Sequence, residues 1–290
     1  MRENILVINL AREEDDVFRI IRFPDGQHSI ELKYFENNPG EDPSTYDVEI
    51  KTRITSWEDI EILRCLVSVL NSYKVNLYNL RIMYLLGARS DRKFKVESEH
   101  YLKDVIAPEI NSLGFNSVSV LHPHSDVTEA CINNFKNDSN KTYFYNIVKK
   151  EIKEEFNLIS PDAGALKNTL KFYNQYPDNI VDVSCAEKIR DVNGNITRTK
   201  FIKPDNDINT FVILDDLCDG GRTFIELAKV IKQNYSNEPF STSCKIILIV
   251  THGVFSKGFS KIKEHINEIY TTNSFADIDG IDNVNVIEVI

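Results

Sequence analysis

An alternation of short apolar runs with amphipathic stretches is the feature of this chain that most limits its fold. The apolar runs are rich in valine and isoleucine, and several stretches between them repeat apolar residues at helical spacing. Such runs, when they alternate with helices, are typical of parallel sheets covered by helices. The sequence therefore predicts an α/β protein with mainly parallel sheets flanked by helices. The predicted strands are residues 5–9, 28–32, 47–51, 80–86, 117–121, 156–160, 179–184, 210–214, 244–251, 268–271 and 284–289, and the predicted helices include residues 57–73, 98–113 and 223–233.

The length of the chain, 290 residues, suits two medium-sized domains. The strand–helix series restarts near residues 143–153, so we place a boundary at about residue 145 and predict domains 1–145 and 146–290. Whether the last strand stays in the second domain or returns to the first is left open. A polar, turn-rich segment, residues 193–209, is predicted to form a flap or hairpin.

Charge and cysteine content argue against several classes of function. Acidic residues outnumber basic ones by 44 to 34 without a long run of lysine and arginine, so nucleic-acid binding is not expected. The five cysteines form no Cys-x-x-Cys pair, which favours reduced thiols and a cytoplasmic location. The first apolar run is short and turns charged, which predicts a strand and not a signal peptide. No stretch approaches the roughly 18 apolar residues of a membrane span, so no membrane contact is expected.

Residues 210–228, TFVILDDLCDGGRTFIELA, give the clearest indication of a binding site. An apolar strand ends in Asp215 and Asp216, a glycine pair follows, and a helical pattern comes next. Carboxylates at the carboxyl end of a parallel strand lie where open α/β sheets bind ligands. Glycine-loop amides and the positive end of a helix suit a phosphate group. The order therefore indicates a site for a phosphorylated sugar; the alternative is an Asp–Gly turn that only caps a helix.

This stretch resembles the ribose-phosphate loop, D-D-x-x-D-T-G-G-T, of type I phosphoribosyltransferases and of ribose-phosphate diphosphokinases (PRPP synthetases). Further segments resemble the diphosphokinases, and they occur in that family's order and at similar spacing across nearly the whole chain. They are IRFPDGQHSIEL (21–32), YLLGARSDRKF (84–94), VSVLHPHSD (118–126), LISPDAGALK (158–167), EKIRD (187–191), ILIVTHGVFSKG (247–258) and IYTTNSF (269–275). The resemblance implies two phosphoribosyltransferase-like domains, each a mainly parallel sheet flanked by helices.

The resemblance also implies an activity and a set of site residues. Members of the family transfer a diphosphoryl group from ATP to the anomeric hydroxyl of ribose 5-phosphate and release AMP, with Mg²⁺ as cofactor. Such a transfer needs positioning and charge neutralisation. The matching positions are Lys188 and Arg190 for the cations of a catalytic flap; Phe23, Asp25, Gln27, Arg89, Ser90, Asp91 and His122 for ATP; His122 and Asp162 for the metal; and Asp215, Asp216, Asp219, Gly220, Gly221, Arg222 and Thr223 for the acceptor. The family's homo-oligomers, dimers or hexamers, place the segment around Phe23 against a neighbouring subunit's adenine.

Departures from the family pattern bear on the substrates. Ser90 stands where the family has glutamine, which shortens a side chain on the adenine side, and Ala165 replaces a glycine. The loop reads Asp-Gly-Gly-Arg-Thr, so Arg222 occupies a position where a glycine was free to adopt unusual dihedral angles. A cation there suits an acceptor that carries more negative charge than ribose 5-phosphate. ADP-ribose is such an acceptor, and its anomeric diphosphate would feed NAD synthesis.

Two other functions stay open on the sequence alone. A phosphoribosyltransferase, which consumes PRPP, would need one such domain and neither Lys188 nor Arg190. A non-catalytic, regulatory relative of the synthetases would have no need of Lys188, Arg190 or the metal-site residues, so their presence argues against it. Release of AMP from ATP, dependent on a sugar acceptor, separates the synthetase from both.

Overall fold

The computed structural model of the protein describes residues 4–12, 16–138, 140–190, 196–236 and 244–290. The chain forms two compact units, Met1–Ser139 with Ile290, and Asn140–Val289. The boundary predicted near residue 145 falls inside the first helix of the second unit, Asn140–Glu151. Among the described residues, no helix is both long enough and apolar enough to cross a membrane.

The first unit is built on a parallel sheet. Its strands are β1 (Asn4–Asn9), β2 (Phe18–Arg22), β3 (His28–Leu32), β4 (Tyr46–Ile54), β5 (Asn76–Leu85), β6 (Val118–Val120) and β7 (Phe135–Asn137). Its helices are α1 (Tyr34–Asn37), α2 (Trp57–Ser72), α3 (Ala107–Asn111) and α4 (Val127–Cys131), with a 3₁₀ turn at Pro43–Thr45 and a π-helix at Tyr101–Ile106. Strands β1, β4, β5, β6 and β7 pair in this order and all in parallel, whereas β2 and β3 form an antiparallel hairpin.

Helix α2 shows how local sequence and packing agree in this unit. The amide of Ser56 donates to the Asp59 carboxylate at 2.9 Å and the Ser56 hydroxyl accepts from the Asp59 amide, which together form a capping box. Its buried side chains recur at helical spacing, and each stabilises the fold by about 1.5–3 kcal/mol through burial. They are Ile60, Ile62, Leu63, Leu66, Val67 and Leu70. The helix predicted over residues 57–73 is confirmed.

The second unit repeats the plan with a larger parallel sheet. Its strands are β8 (Phe156–Ser160), β9 (Ile180–Cys185), β10 (Glu187–Arg190), β11 (Ile196–Lys200), β12 (Thr210–Cys218), β13 (Lys245–Gly253), β14 (Glu268–Thr272) and β15 (Val284–Ile287). Its helices are α5 (Asn140–Glu151), α6 (Leu166–Gln175), α7 (Arg222–Ser236) and α8 (Ser260–Lys263). The sheet order is β15-β14-β13-β12-β8-β9, with parallel pairing throughout, and β10 and β11 form a separate antiparallel hairpin. The predicted α/β class with parallel sheets flanked by helices is confirmed.

Strand β12 is buried on both faces of this sheet. Phe211 and Ile213 belong to one apolar cluster together with Leu227 of α7. The alternate residues, Val212 and Leu214, belong to a second cluster, which includes residues of α5 and α6. This alternation is the two-residue period of a strand, and burial on both faces explains the continuous apolar run in the sequence.

One prediction about the helices needs correction. Residues 98–113 were predicted to form one helix, but a π-helix at Tyr101–Ile106 leads into α3. Pro108 has no amide hydrogen to donate, and the Ala107 amide bonds to the Leu102 carbonyl, five residues back. The sequence left the place of the last strand open; β15 pairs with β14 in the second sheet, where Ile287 is buried.

Candidate active site

In the sheet of the second unit, the order in which the chain adds strands reverses between the neighbouring strands β8 and β12. From β8 the chain proceeds outward to β9, whereas from β12 it proceeds the other way to β13, β14 and β15. The loops at the carboxyl ends of β8 and β12 therefore diverge, and open parallel sheets bind ligands in the crevice formed at such a point. Asp162 follows β8, and residues 215–223 span the end of β12 and the start of α7.

An acidic pair occupies the carboxyl end of β12. Asp216 is buried and Asp215 is half-buried, and the Asp216 amide donates to the Asp215 carboxylate at 2.8 Å. Burial raises the pKa of Asp215 well above its ordinary value, and the charges of Asp216 and Asp162 raise it further. The carboxylates repel one another in a partly dry site, so hydroxyl donors or a cation would stabilise their charged forms.

The loop between β12 and α7 requires glycine at residue 221. Gly221 has a φ of +75°, and a Cβ built there would lie 3.2 Å from Cδ1 of Ile262. The first hydrogen bond of α7 in the structure joins the Ile225 amide to the Gly221 carbonyl at 3.0 Å. The first amides of a helix have no partner within it and carry the positive end of its dipole, so they suit an anion.

Arg222 and Thr223 are the first two residues of α7 and not loop residues. Arg222 is exposed, and in the part of the chain that the structure describes it has neither a hydrogen bond nor an ion pair. A cation at the first position of a helix is unfavourable next to the dipole. The first turn of α7 also lacks an acidic residue that would offset it.

The loop that follows β13 is hydrogen-bonded to the end of β12 and to the loop between β12 and α7, which we call the acceptor loop (residues 219–221). The amides of Val254 and Phe255 donate to the Cys218 carbonyl at 2.9 and 3.1 Å. The Ser256 hydroxyl donates to Oδ1 of Asp219 at 2.5 Å. Two short loops from neighbouring strands are thereby joined at the position where a sugar phosphate is expected.

Cys218 lies within the loop motif but is a structural residue. Its side chain is fully buried, and burial, with the charges of Asp215 and Asp219, raises the pKa of the thiol to about 12. A thiol that stays protonated is a weak nucleophile. The predicted chemistry does not require one.

Asp162 begins the loop after β8 in an ordered turn. Its Oδ1 accepts from the amides of Gly164 and Ala165 at 3.0 and 3.1 Å, and the Ser160 hydroxyl donates to its carbonyl at 2.7 Å. Ala165 is buried and is the residue that immediately precedes α6. A carboxylate is fixed at this edge despite the loss of the family's glycine.

The flap predicted after β9 is a hairpin at its base. Lys188 and Arg190 lie on β10, with Lys188 opposite Thr199 of β11, but their side chains and residues 191–195 lie outside the described part of the chain. The roles predicted for the two cations stay predictions. In the segment after the hairpin, Asn206 forms a reciprocal amide pair with the buried Asn157 of β8, at 2.9 and 3.2 Å.

The residues predicted for ATP lie in the first unit. Arg89, Ser90 and Asp91 follow β5, and His122 follows the adjacent strand β6, so both segments leave the same edge of that sheet. His122 is buried and has a φ of 41°, whereas Arg89 is exposed. His122 belongs to the first unit and Asp162 to the second.

Phe23, Asp25 and Gln27 lie at the tip of the β2–β3 hairpin. The Phe23 amide donates to the Gln27 carbonyl at 2.9 Å and the Gln27 amide to Oδ1 of Asp25 at 3.1 Å. The Phe23 side chain is 44% exposed, so it is not a core residue of the unit. An exposed aromatic ring at the tip of an ordered turn is available to stack on a base.

The carboxylates of the second unit fit a divalent cation that is shared with a bound substrate. Among the described residues, no group of three or more histidine, cysteine, aspartate or glutamate side chains could hold a metal ion alone. Mg²⁺ prefers oxygen ligands, keeps several waters and commonly takes the rest of its ligands from phosphates. The raised pKa of Asp215 fits this arrangement, since a nearby cation would lower it.

Comparison with known proteins agrees with this geometry, although no family model matches the chain. Four curated relatives carry the name ribose-phosphate pyrophosphokinase. The one from Mycoplasmopsis pulmonis is 29% identical over 201 residues, 68% of this chain and 59% of the relative. The one from Thermosipho africanus is 25% identical over 276 residues, 92% of this chain and 80% of the relative. This chain is similar to ribose-phosphate pyrophosphokinases, at 23–29% identity.

The fold of the chain is that of a solved phosphoribosylpyrophosphate synthetase. The crystal structure of this synthetase from Mycobacterium smegmatis matches with a TM-score of 0.78 at 14% identity, over 99% of this chain and 95% of that one. The match spans both units. The predicted pair of phosphoribosyltransferase-like domains agrees with it.

Three residues next to the site were not selected from the sequence. Ser256 and Lys257 lie in a segment that resembles the pyrophosphokinases, but only the structure brings them beside the acceptor loop. Tyr145 of α5 is buried, and its pKa is raised by burial and by the charges of Asp216 and Asp215. A tyrosine on the buried face of a helix carries no sequence signal that separates it from ordinary core.

Proposed function

We propose that the protein is a diphosphokinase that transfers the β,γ-diphosphoryl group of ATP to the anomeric hydroxyl of a 5-phosphorylated ribose and releases AMP. The observation that carries the proposal is the position of the acidic pair, the glycine loop and the helix start at one switch point of a parallel sheet. The relatives named ribose-phosphate pyrophosphokinase support the same reaction class.

In this reaction the acceptor is held at both of its ends. The ribose hydroxyls donate to the carboxylates of Asp215 and Asp216, whose mutual repulsion makes such donors favourable. The 5-phosphate accepts from amides of the Asp219–Gly221 loop and from the start of α7. The anomeric oxygen is then directed at the β-phosphorus of ATP.

Transfer forms a bond between the anomeric oxygen and the β-phosphorus and breaks the bond from that phosphorus to the oxygen bridging it to the α-phosphorus. The hydroxyl loses its proton, and AMP leaves with the bridging oxygen. Lys188 and Arg190 contribute cations on a hairpin that covers the phosphates and excludes water. Asp162 in the second unit and His122 in the first are the residues that would offer ligands to Mg²⁺ bound with ATP, and the ion would supply further charge neutralisation.

On the ATP side, Arg89 pairs with phosphate, and Ser90 and Asp91 contact the nucleotide. The exposed hairpin tip supports a homo-oligomer, a dimer or a hexamer, in which Phe23, Asp25 and Gln27 of one subunit contact adenine bound by another. The scattered free cysteines, which form no Cys-x-x-Cys pair, support a cytoplasmic enzyme.

We further propose that the acceptor is a 5-extended ribose phosphate such as ADP-ribose. Arg222 is an exposed cation without a partner in the described residues, and the helix dipole disfavours it where it stands. A single phosphate already bound by loop amides gains little from another cation. A diphosphate extends past the loop and gives the guanidinium a second group to bind.

The test is a paired assay of AMP release from ATP with ribose 5-phosphate and with ADP-ribose. We expect AMP with either acceptor, none without one, and a higher kcat/KM for ADP-ribose. Arg222→Gln should lower kcat/KM for ADP-ribose by about tenfold or more, the size of one lost charge-assisted hydrogen bond, and for ribose 5-phosphate by much less. Equal or better use of ribose 5-phosphate would defeat the extended acceptor, and absence of AMP would favour a phosphoribosyltransferase or a regulatory protein.

A further inference from the structure

A second cation lies against the acceptor loop, on the loop that follows β13. A Cβ built on Gly220 would lie 3.3 Å from Cγ of Lys257, so the aliphatic stem of this lysine packs over the first glycine of the loop. Lys257 is exposed, and among the residues that the structure describes it has neither an ion pair nor a hydrogen bond.

The position of Lys257 is fixed by its neighbours. The Ser256 hydroxyl donates to Asp219 at 2.5 Å, and two amides of the same loop donate to the Cys218 carbonyl. These hydrogen bonds connect the loop to the end of β12. The turn closes with the Gly258 amide bonded to the Phe255 carbonyl at 2.8 Å. Gly253 has no room for a side chain, because its Cβ would lie 2.4 Å from the Phe255 ring. A lysine on so constrained a loop is held beside Gly220.

We propose that Lys257 is a specificity-determining residue, which together with Arg222 binds the phosphates of a 5-extended acceptor next to the Gly220–Gly221 turn. Arg222 follows Gly221 directly at the start of α7, and the Lys257 stem contacts Gly220. The ammonium of Lys257 and the guanidinium of Arg222 together neutralise phosphate charge that the amides of the loop leave uncompensated. This inference rests on the proposed function, since it assigns the acceptor that the site binds.

The Lys257 stem also leaves little space for a side chain at position 220. A larger residue there would press against the Lys257 stem, which would move because it is a flexible side chain. Loss of Gly220 would therefore displace the ammonium group as well as alter the loop. The Lys257 stem and the glycine form one packed unit.

The test measures binding without turnover. Calorimetric titrations with ADP-ribose and with ribose 5-phosphate, in the absence of ATP, compare the unaltered protein with Lys257→Met and Lys257→Arg. Lys261→Met is the matched control, since Lys261 is an exposed cation on α8 close in sequence. We expect Lys257→Met to weaken ADP-ribose about tenfold and ribose 5-phosphate less than threefold, Lys257→Arg to retain most of the affinity, and the control to change neither.

The outcomes separate this inference from the proposed function. If Lys257→Met binds ADP-ribose as tightly as Lys261→Met does, Lys257 has no role, whatever the activity. If it weakens ADP-ribose and ribose 5-phosphate equally, it contributes general charge and not specificity, which also overturns the inference. If ADP-ribose binding depends on Lys257 but no acceptor supports AMP release, the diphosphokinase function fails and the binding site remains.

Discussion

The amide pair of Asn157 and Asn206 gives a prediction whose size follows from the structure. Asn157 of β8 is fully buried and donates through Nδ2 to Oδ1 of Asn206 at 3.2 Å and to the Ile208 carbonyl at 3.1 Å. It accepts at Oδ1 from Nδ2 of Asn206 at 2.9 Å. These bonds connect β8 to the segment that leads from β11 into β12.

Replacing Asn157 with leucine keeps the volume and removes all of these bonds. Each of the three hydrogen bonds contributes about 1 kcal/mol net, so together they contribute about 3 kcal/mol. Asn206 is half-buried, so water can reach part of its amide and reduce the loss. We expect Asn157→Leu to lower the free energy of unfolding of the second unit by about 2–3 kcal/mol.

Urea unfolding followed by circular dichroism measures this change. The only tryptophan, Trp57, is in α2 of the first unit, so its fluorescence is a reference for that unit. Asn206→Leu and the double variant complete a cycle, and the paired amides should couple by about 1–2 kcal/mol. Limited proteolysis should also cleave residues 201–209 faster in Asn157→Leu. An unchanged circular-dichroism midpoint, or full additivity of the two substitutions, would refute the reasoning.

Three further perturbations test other parts of the structure. Gly221→Ala should raise KM for the acceptor and lower stability more than Gly258→Ala does. Both glycines have positive φ, but only at Gly221 would an added Cβ contact a neighbouring side chain. Steady-state kinetics measure the KM, and thermal unfolding measures the stability. Lys188→Ala should lower kcat by roughly a hundredfold with little change in melting temperature, and near-normal turnover would count against its catalytic role. His28 hydrogen-bonds to Glu61 and lowers the pKa of that carboxyl below its ordinary 4.5, so Glu61 stabilises the fold at pH values above 4.5 and loses this effect as pH falls through its lowered pKa. Glu61→Gln should therefore lower the melting temperature at neutral pH and have little effect near pH 3; an equal effect at both would contradict this.

The strands and helices could be predicted from the sequence where apolar residues in a segment repeated with one clear period, that of a strand or that of a helix. Strands β3 and β8 match residues 28–32 and 156–160, because each is a compact run with clear ends. Strand β12 was predicted to end at residue 214 but continues to Cys218, since its ladder with β13 extends through Leu217 and carries the two aspartates into the sheet. Tertiary pairing outweighed the local preference of aspartate for loops.

The candidate site could be predicted only in part. The acidic pair and the glycines carry their own chemical signal in one continuous stretch. Lys257 and Asn157 do not, because their partners are distant in sequence and meet them only through strand register and loop closure. The side chains of Lys188 and Arg190 lie outside the described residues, so their part in the site stays a prediction.

The joined loops after β12 and β13 have a consequence for how such an enzyme changes over evolution. Arg222 and Lys257 are exposed, whereas the strands that carry their loops are buried on both faces. A replacement at either position therefore alters the charge offered to an acceptor at little cost in folding free energy. Single-codon changes at two surface positions could shift the protein between a simple sugar phosphate and a nucleotide sugar while the inherited chemistry stays in place.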